Sequence, residues 1–242
     1  MFKLYNLKIL TICSGFAFIV SGAAFLLYAL PTRADITTGL IHHWTFDEGS
    51  GSVAADSAGS FTGTLTNGPV WTTGHSGNAL SFDGVNDYVN LSTAALGVTN
   101  EITVSAWVKA TGTLSGWLYQ GIVTRGQYVA PFWLQREGTA GLRTVIRTSN
   151  TSYLSAANAL TANTWRHLVL TYRANERILY VDGVVVASNA PSGASLGNLN
   201  AGELFTIGAM PGGTANFKGL IDDVRIYNRA LSAAEVASFV QN

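Results

Sequence analysis

Beyond residue 40 the chain breaks into short apolar or alternating runs, each closed by Gly, Asn, Asp, Ser or Thr. The runs at 40–46, 79–82, 88–91, 102–109, 121–125, 132–136, 142–147, 165–172, 177–181, 184–187, 205–207 and 219–227 are rich in Val, Ile, Thr and aromatic residues. Many short runs of this kind between turn signals predict an antiparallel all-β sandwich or barrel. No long stretch of the body has helical periodicity, and there is no strand–helix alternation of the kind a parallel sheet requires. No repeat of fixed period or low-complexity linker divides it, so residues 40–242 read as one domain behind a short linker at 35–39.

Two local signals carry a mechanism. Asp182-Gly183 separates two Val-containing runs; both residue types tolerate positive φ, which predicts a two-residue hairpin turn. The turn accounts for Asp182 without a catalytic role. Near the end, Ser232-Ala-Ala-Glu235 is a capping box that opens a short C-terminal helix, with Leu231 and Val236 as its hydrophobic staple.

The first 34 residues differ in kind. Lys3 and Lys8 precede an uncharged apolar run at 9–30, followed by Pro31-Thr-Arg-Ala34. A basic start, an apolar helix and small residues before a cut describe a secretory signal peptide. The run is equally long enough for an uncleaved membrane anchor. Either way the domain lies outside the cytoplasm, secreted or at the cell surface, and meets the membrane only through this segment if it is retained. Cys13, the sole cysteine, sits in the run behind the branched Ile12, which does not suit lipid attachment. The body therefore has no thiol and no disulfide framework.

Hydrophobic residues make up 48% of the chain and charged residues 12%, enough apolar material for a sizeable core. Basic and acidic residues number 14 each; with Lys3, Lys8 and Arg33 set aside, 11 basic residues face 14 acidic ones. A mildly acidic domain lacks the basic stripe of a nucleic-acid-binding protein.

Several phrases, in order, give the chain a likeness. They are His43-Trp-Thr-Phe-Asp-Glu-Gly-Ser-Gly51 with Asp56-Ser57, and Gly74-His-Ser-Gly-Asn-Ala-Leu-Ser-Phe-Asp-Gly84 with Asp87-Tyr-Val89. Ile102-Thr-Val-Ser-Ala-Trp-Val108, Trp165-Arg-His-Leu-Val169 with Leu179-Tyr-Val-Asp-Gly183, and Phe217-Lys-Gly-Leu-Ile-Asp-Asp-Val-Arg-Ile-Tyr227 follow. Together they resemble the LamG-like jelly-roll domains of the concanavalin A-like lectin/glucanase superfamily. The resemblance implies two antiparallel sheets with first and last strands adjacent. It also implies a carbohydrate-binding or adhesive role, often with bound calcium.

Catalytic chemistry has little to build on. Glycoside hydrolysis needs two carboxyl groups about 5–10 Å apart, which on one strand means i, i+2 or i+4 spacing. Asp222-Asp223 and Asp47-Glu48 are adjacent and predicted to face opposite ways, while Asp83 and Asp87 flank a turn at Gly84. The Glu-x-Asp-x-x-Glu pattern of superfamily glucanases is absent, and His42, His43, His75 and His167 lack zinc-site spacing. No enzyme is expected.

Calcium takes carboxylate, amide and carbonyl oxygens. The best donor set for a structural Ca2+ is Asp47, Asn78 and Asp223; the alternative is that Asp47 and Asp56 cap turns while Asp222 pairs with an arginine. Pentraxins share the sandwich, but the stretch here that corresponds to their calcium ligands, residues 208–214, has no carboxylate. For a sugar, aromatic platforms with polar tips are needed. Trp117, Tyr119, Tyr128 and Trp133, with Arg125, Arg143 and Arg147, are the candidates, whereas Trp44, Trp107 and Trp165 lie in family phrases and read as core.

The expectation is an exported, non-catalytic module that binds a glycan or a cell-surface protein. A self-associating surface protein anchored by its N-terminus and a hydrolase with an unfamiliar site are the alternatives.

Overall fold

The computed structural model describes residues 16–21, 24–29, 34–91, 93–112, 119–126, 132–138, 140–147, 151–191 and 202–241, in two units, Met1–Asp35 and Ile36–Asn242. In the first unit the apolar run expected to be helical instead forms an antiparallel pair. Its strands are β1 (Phe16–Ser21) and β2 (Ala24–Ala29), in register from Phe16↔Ala29 to Ser21↔Ala24. Phe16, Phe18, Ile19, Val20 and Phe25 crowd this stretch and Gly22 interrupts it; aromatic and β-branched residues favour strands over helix. Among the described residues no helix is long and apolar enough to cross a membrane. Cys13 and, of the expected cleavage segment Pro31-Thr-Arg-Ala34, all but Ala34 lie outside the described residues.

The second unit holds β3 (Leu40–Trp44), β4 (Val53–Ala54), β5 (Gly63–Thr66), β6 (Val70–Thr73), β7 (Asn78–Asp83), β8 (Tyr88–Leu91) and β9 (Ile102–Ala110). There follow β10 (Gln120–Arg125), β11 (Phe132–Glu137), β12 (Gly141–Arg147), β13 (Thr151–Ala156), β14 (Trp165–Arg173) and β15 (Glu176–Val181). Then come β16 (Val184–Asn189), β17 (Phe205–Ile207), β18 (Lys218–Tyr227) and the helix α1 (Ala233–Ser238). One antiparallel sheet runs β16-β15-β14-β9-β18-β7-β6, with β3 also paired to β18; the other runs β13-β12-β11-β10-β17-β8-β5-β4. The first and last strands of the unit are neighbours, with Trp44 opposite Val224, as the resemblance implied.

Each sheet turns one set of alternate residues inward. Val104, Ala106 and Val108 of β9 and Leu168 and Leu170 of β14 share a core with Leu134, Leu142, Ile146 and Phe205 of the other sheet. Trp44 is fully buried, its indole N–H donating to Phe61 O at 2.8 Å and its ring edge-on to Phe205. Each large side chain buried in this way contributes about 1.5–3 kcal/mol, so the layer between the sheets can hold the domain without disulfides. The Asp182-Gly183 turn takes φ values of 49° and 77° and joins β15 to β16. The capping box forms as expected: Ser232 Oγ accepts from Glu235 N while Glu235 accepts from Ser232 N at 2.7 Å. Leu231 and Val236 join Val169, Tyr180, Tyr227 and Phe239 in a second apolar cluster between α1 and the first sheet.

Candidate functional site

The outer face of the second sheet is made by the residues that alternate with its core positions. Trp133 of β11 lies opposite Val145 of β12, and Val145 opposite Tyr153 of β13; in the next row Gln135 faces Arg143 and Arg143 faces Ser155. Arg143 is the hub. Its guanidinium carbon stands 3.7 Å from the Tyr153 ring centroid and 4.6 Å from that of Tyr119, so one cation contacts two tyrosine rings. Contacts this close contribute about 0.5–1 kcal/mol each at exposed sites and more when desolvated. Glu137, at the end of β11, reaches the same guanidinium at 3.5 Å. The Arg143 side chain is only 14% accessible, whereas Tyr119 and Tyr153 are 42% and 49% exposed. The cation fixes the rings from beneath while their surfaces remain open to solvent. Trp133, half-buried on the same face, donates its indole N–H to Gly126 O at 2.9 Å.

Of the residues singled out in the sequence, Tyr119, Trp133 and Arg143 share this face. Arg125 does not. A bulge between Gly121 and Val123 shifts the alternation of β10, so Tyr119 faces outward and Arg125 inward despite their even spacing. Arg125 is fully buried, with its guanidinium 5.6 Å from the Phe205 centroid and donating to Ala94 O at 2.7 Å. Burial lowers it to about 10. Trp117, Tyr128 and the Arg147 side chain lie outside the described residues. Tyr153, which completes the cluster, escapes the sequence reading because Thr151–Ala156 is half Ser and Thr; its alternation was the available signal.

The outer side of the first sheet carries the remaining chemistry. Trp107, buried as expected of a core residue, and Trp165, half-buried, lie on this side and not beside Trp44 between the sheets, because the inward positions of β9 and β14 are the even-numbered ones. The His75 ring stacks on Trp107 at 3.5 Å and 10°, with Trp165 edge-on to it at 6.0 Å. His167 lies between Trp107 and Phe239, with centroids 5.0 and 4.7 Å away. It is fully buried and neither ring nitrogen has a hydrogen-bond partner.

Asp47 and Asn78 do meet: Asp47 Oδ1 accepts from Asn78 N at 2.9 Å, and its carbonyl accepts from Asn78 Nδ2 at 3.3 Å. Asp223 is engaged elsewhere, with His43 Nε2 at 2.6 Å and the Arg225 guanidinium at 2.9 Å. Those partners hold its carboxyl below the usual range against the opposing effect of burial. Among the described residues no group of three or more His, Cys, Asp or Glu is placed to hold a metal ion. The donor set does not fit calcium, since an ion there has to displace a guanidinium from Asp223 and a backbone N–H from Asp47. The turn-cap reading describes Asp56 well: its carboxylate accepts from the backbone of His43, Ala58, Gly59 and Phe61.

Asp222, the proposed arginine partner, instead accepts from His75 N and Ser76 N at 2.8 and 3.1 Å, anchoring that loop. Burial raises it to about 6. A carboxyl raised on folding favours the protonated state, so its contribution is full below about pH 3.8 and declines as pH rises towards 6. Asp222→Asn keeps an acceptor for the loop without the charge. It is expected to stabilise the protein by about 3 kcal/mol well above pH 6 and by almost nothing below pH 4, as melting curves at pH 8 and pH 3.8 would register.

With this geometry the chain can be compared with known proteins. A family model of laminin G type, described as the concanavalin A-like lectin/glucanases superfamily, matches residues 83–237. The chain belongs to this superfamily. No curated protein matches it. Among solved structures, the concanavalin A-like sandwich is similar to domain 4 of AbnA, a GH43 extracellular arabinanase from Geobacillus stearothermophilus, in complex with arabinotriose. That pair has 24% identity and a TM-score of 0.64, over 84% of this chain and 98% of that one. It is similar to Trypanosoma rangeli sialidase at 18% identity and a TM-score of 0.64, over 84% of this chain and 33% of the sialidase. The binding domain of Paraclostridial Mosquitocidal Protein 1 matches at 15% identity and a TM-score of 0.66, over 84% of this chain and 52% of that one. At these identities the likeness is one of fold, shared by parts of glycoside hydrolases and by binding domains alike.

Proposed function

We propose that the chain is an exported, non-catalytic carbohydrate-binding module whose ligand lies across Tyr119, Tyr153 and Trp133. The observation that carries this reading is the pair of exposed tyrosine rings set on the shielded Arg143 cation. Sugar rings have an apolar C–H face and a hydroxyl rim; a flat aromatic body with a polar tip matches both. The AbnA domain was solved with arabinotriose, which favours an uncharged oligosaccharide. Glu137 is the carboxylate among the outward positions of β11, β12 and β13 whose side chains are described, and it already binds Arg143. A hydrolase needs a second one nearby. Export rests on the basic start and apolar run of the N-terminus.

A glycan array probed with the full chain tests the reading. Selective binding is expected, and Tyr153→Ala and Tyr119→Ala are each expected to weaken it about tenfold or more. Both rings are substantially exposed, so thermal melting should barely move. An array without a single selective signal, or binding indifferent to both substitutions, overturns the assignment and moves the case to a self-associating surface protein.

A further inference from the structure

A crevice of about 340 Å³ opens on the other sheet, at the foot of α1. Its volume lies at the small end of the range of about 300–1,000 Å³ for small-molecule sites. Ile178 and Leu231 line it with apolar surface beside Thr171 and Tyr180, while Arg173 and Glu176 from the β14–β15 hairpin and Glu235 from α1 bring charge.

Those charges are already balanced. Arg173 Nε donates to Glu176 Oε2. Glu235 accepts from Arg229 Nη2 and from Ser232 N, both at 2.7 Å, which pulls its carboxyl down to about 2. A charged ligand entering the recess therefore finds no uncompensated partner. A purely apolar one strips water from the Arg173–Glu176 pair and returns no hydrogen bonds, which is costly. A neutral, hydroxyl-rich ligand meets neither penalty. Such a ligand has hydroxyls to pair with the Arg173 and Glu176 side chains and a C–H face to set against Ile178 and Leu231.

We infer that this crevice, walled by the Arg173–Glu176 pair and the apolar side chains of Ile178 and Leu231, is a second carbohydrate subsite that takes one neutral sugar residue. The inference rests on reading the chain as a carbohydrate-binding module, and it adds a site on the sheet opposite the tyrosine face.

The test is a titration of the isotope-labelled full chain with neutral monosaccharides (arabinose, galactose, glucose and N-acetylglucosamine), followed by backbone amide shifts, beside the glycan array. At least one sugar is expected to shift the Thr171, Ile178 and Leu231 amides. The double variant Arg173→Met/Glu176→Gln should weaken that response at least tenfold, and Tyr153→Ala should leave it intact. Both rim side chains are largely exposed, at 59% and 41%, so unchanged melting would certify the fold of the variant. Shifts confined to β11–β13 and abolished by Tyr153→Ala overturn the subsite and leave the tyrosine face standing. A response at the crevice that the double variant does not alter also overturns it, as does stronger binding of an anionic sugar there. Silence in both the titration and the array removes subsite and module together.

Discussion

Replacing His167 by phenylalanine is expected to make the domain markedly more resistant to acid. The imidazole is fully buried between Trp107 and Phe239, and neither nitrogen has a hydrogen-bond partner. Burial lowers it from 6.5 to about 3. A histidine depressed on folding stabilises the protein fully above 6.5, and that contribution is lost as pH falls towards 3, at about 1.4 kcal/mol per pH unit. Between pH 7 and pH 5 the wild type therefore forfeits about 2 kcal/mol through this one residue. Phenylalanine does not titrate and nearly conserves volume. It also removes a buried N–H that has no acceptor, a defect of about 1–3 kcal/mol. The variant should be the more stable at pH 7, and its advantage should grow by about 2 kcal/mol at pH 5, several degrees in Tm for a domain of this size. Asp222 acts in the opposite sense but is common to both proteins and cancels from the difference. Stability curves that stay parallel from pH 7 to pH 5 would show that His167 is solvated or bonded in solution.

The second large effect lies at Gly219, where β18 crosses the middle of the first sheet. This residue takes φ of 144°, and a Cβ there would stand 2.3 Å from the Lys109 carbonyl oxygen and 3.0 Å from Ala110 Cα. Gly219→Ala must push β18 away from β9, the strand it pairs with over most of its length. Backbone strain of about 1–2 kcal/mol and overpacking of about 1–3 kcal/mol together predict a loss of roughly 3–4 kcal/mol. Gly51 is the control: its φ is 86°, but nothing lies within 4 Å of the added carbon, so Gly51→Ala should cost the backbone term alone. Urea midpoints of the two variants check the contrast. Equal losses would mean that the β9–β18 spacing gives way easily and that strain, not contact, decides.

The architecture was largely legible because its long strands announce themselves. Ile102–Ala110, Trp165–Arg173 and Lys218–Tyr227 alternate or run apolar for most of their length and were placed within a residue or two. Val53–Ala54, Gly63–Thr66, Val70–Thr73 and Thr151–Ala156 were missed. They are short or rich in Thr, Gly and Ser, and their pairing is set by neighbouring strands rather than by their own composition. That omission hid Tyr153. Arg125 was misplaced for a different reason: counting by twos along β10 fails at the bulge after Gly121, and nothing local in Gly-Ile-Val marks it. Asp222 and Asp223 escaped in the same way, since a second register shift breaks the alternation between Asp222 and Arg225. The stacking of His75 on Trp107 joins residues 32 positions apart, a distance over which no periodicity speaks.

The position of β18 also governs when the domain can form. Residues 218–227 are synthesised after every strand they join, for they pair with β3, β7 and β9, all at least a hundred residues earlier in the chain. Until they emerge, β7 and β9 have no strand to join them, and β3 has nowhere to dock. Contacts between such distant parts of a chain form slowly, because loop closure must precede any gain from pairing. A ribosome-bound or truncated chain that stops before residue 218 should thus stay open and vulnerable to proteolysis, and protection should arrive abruptly with the final strand instead of accumulating as the chain grows.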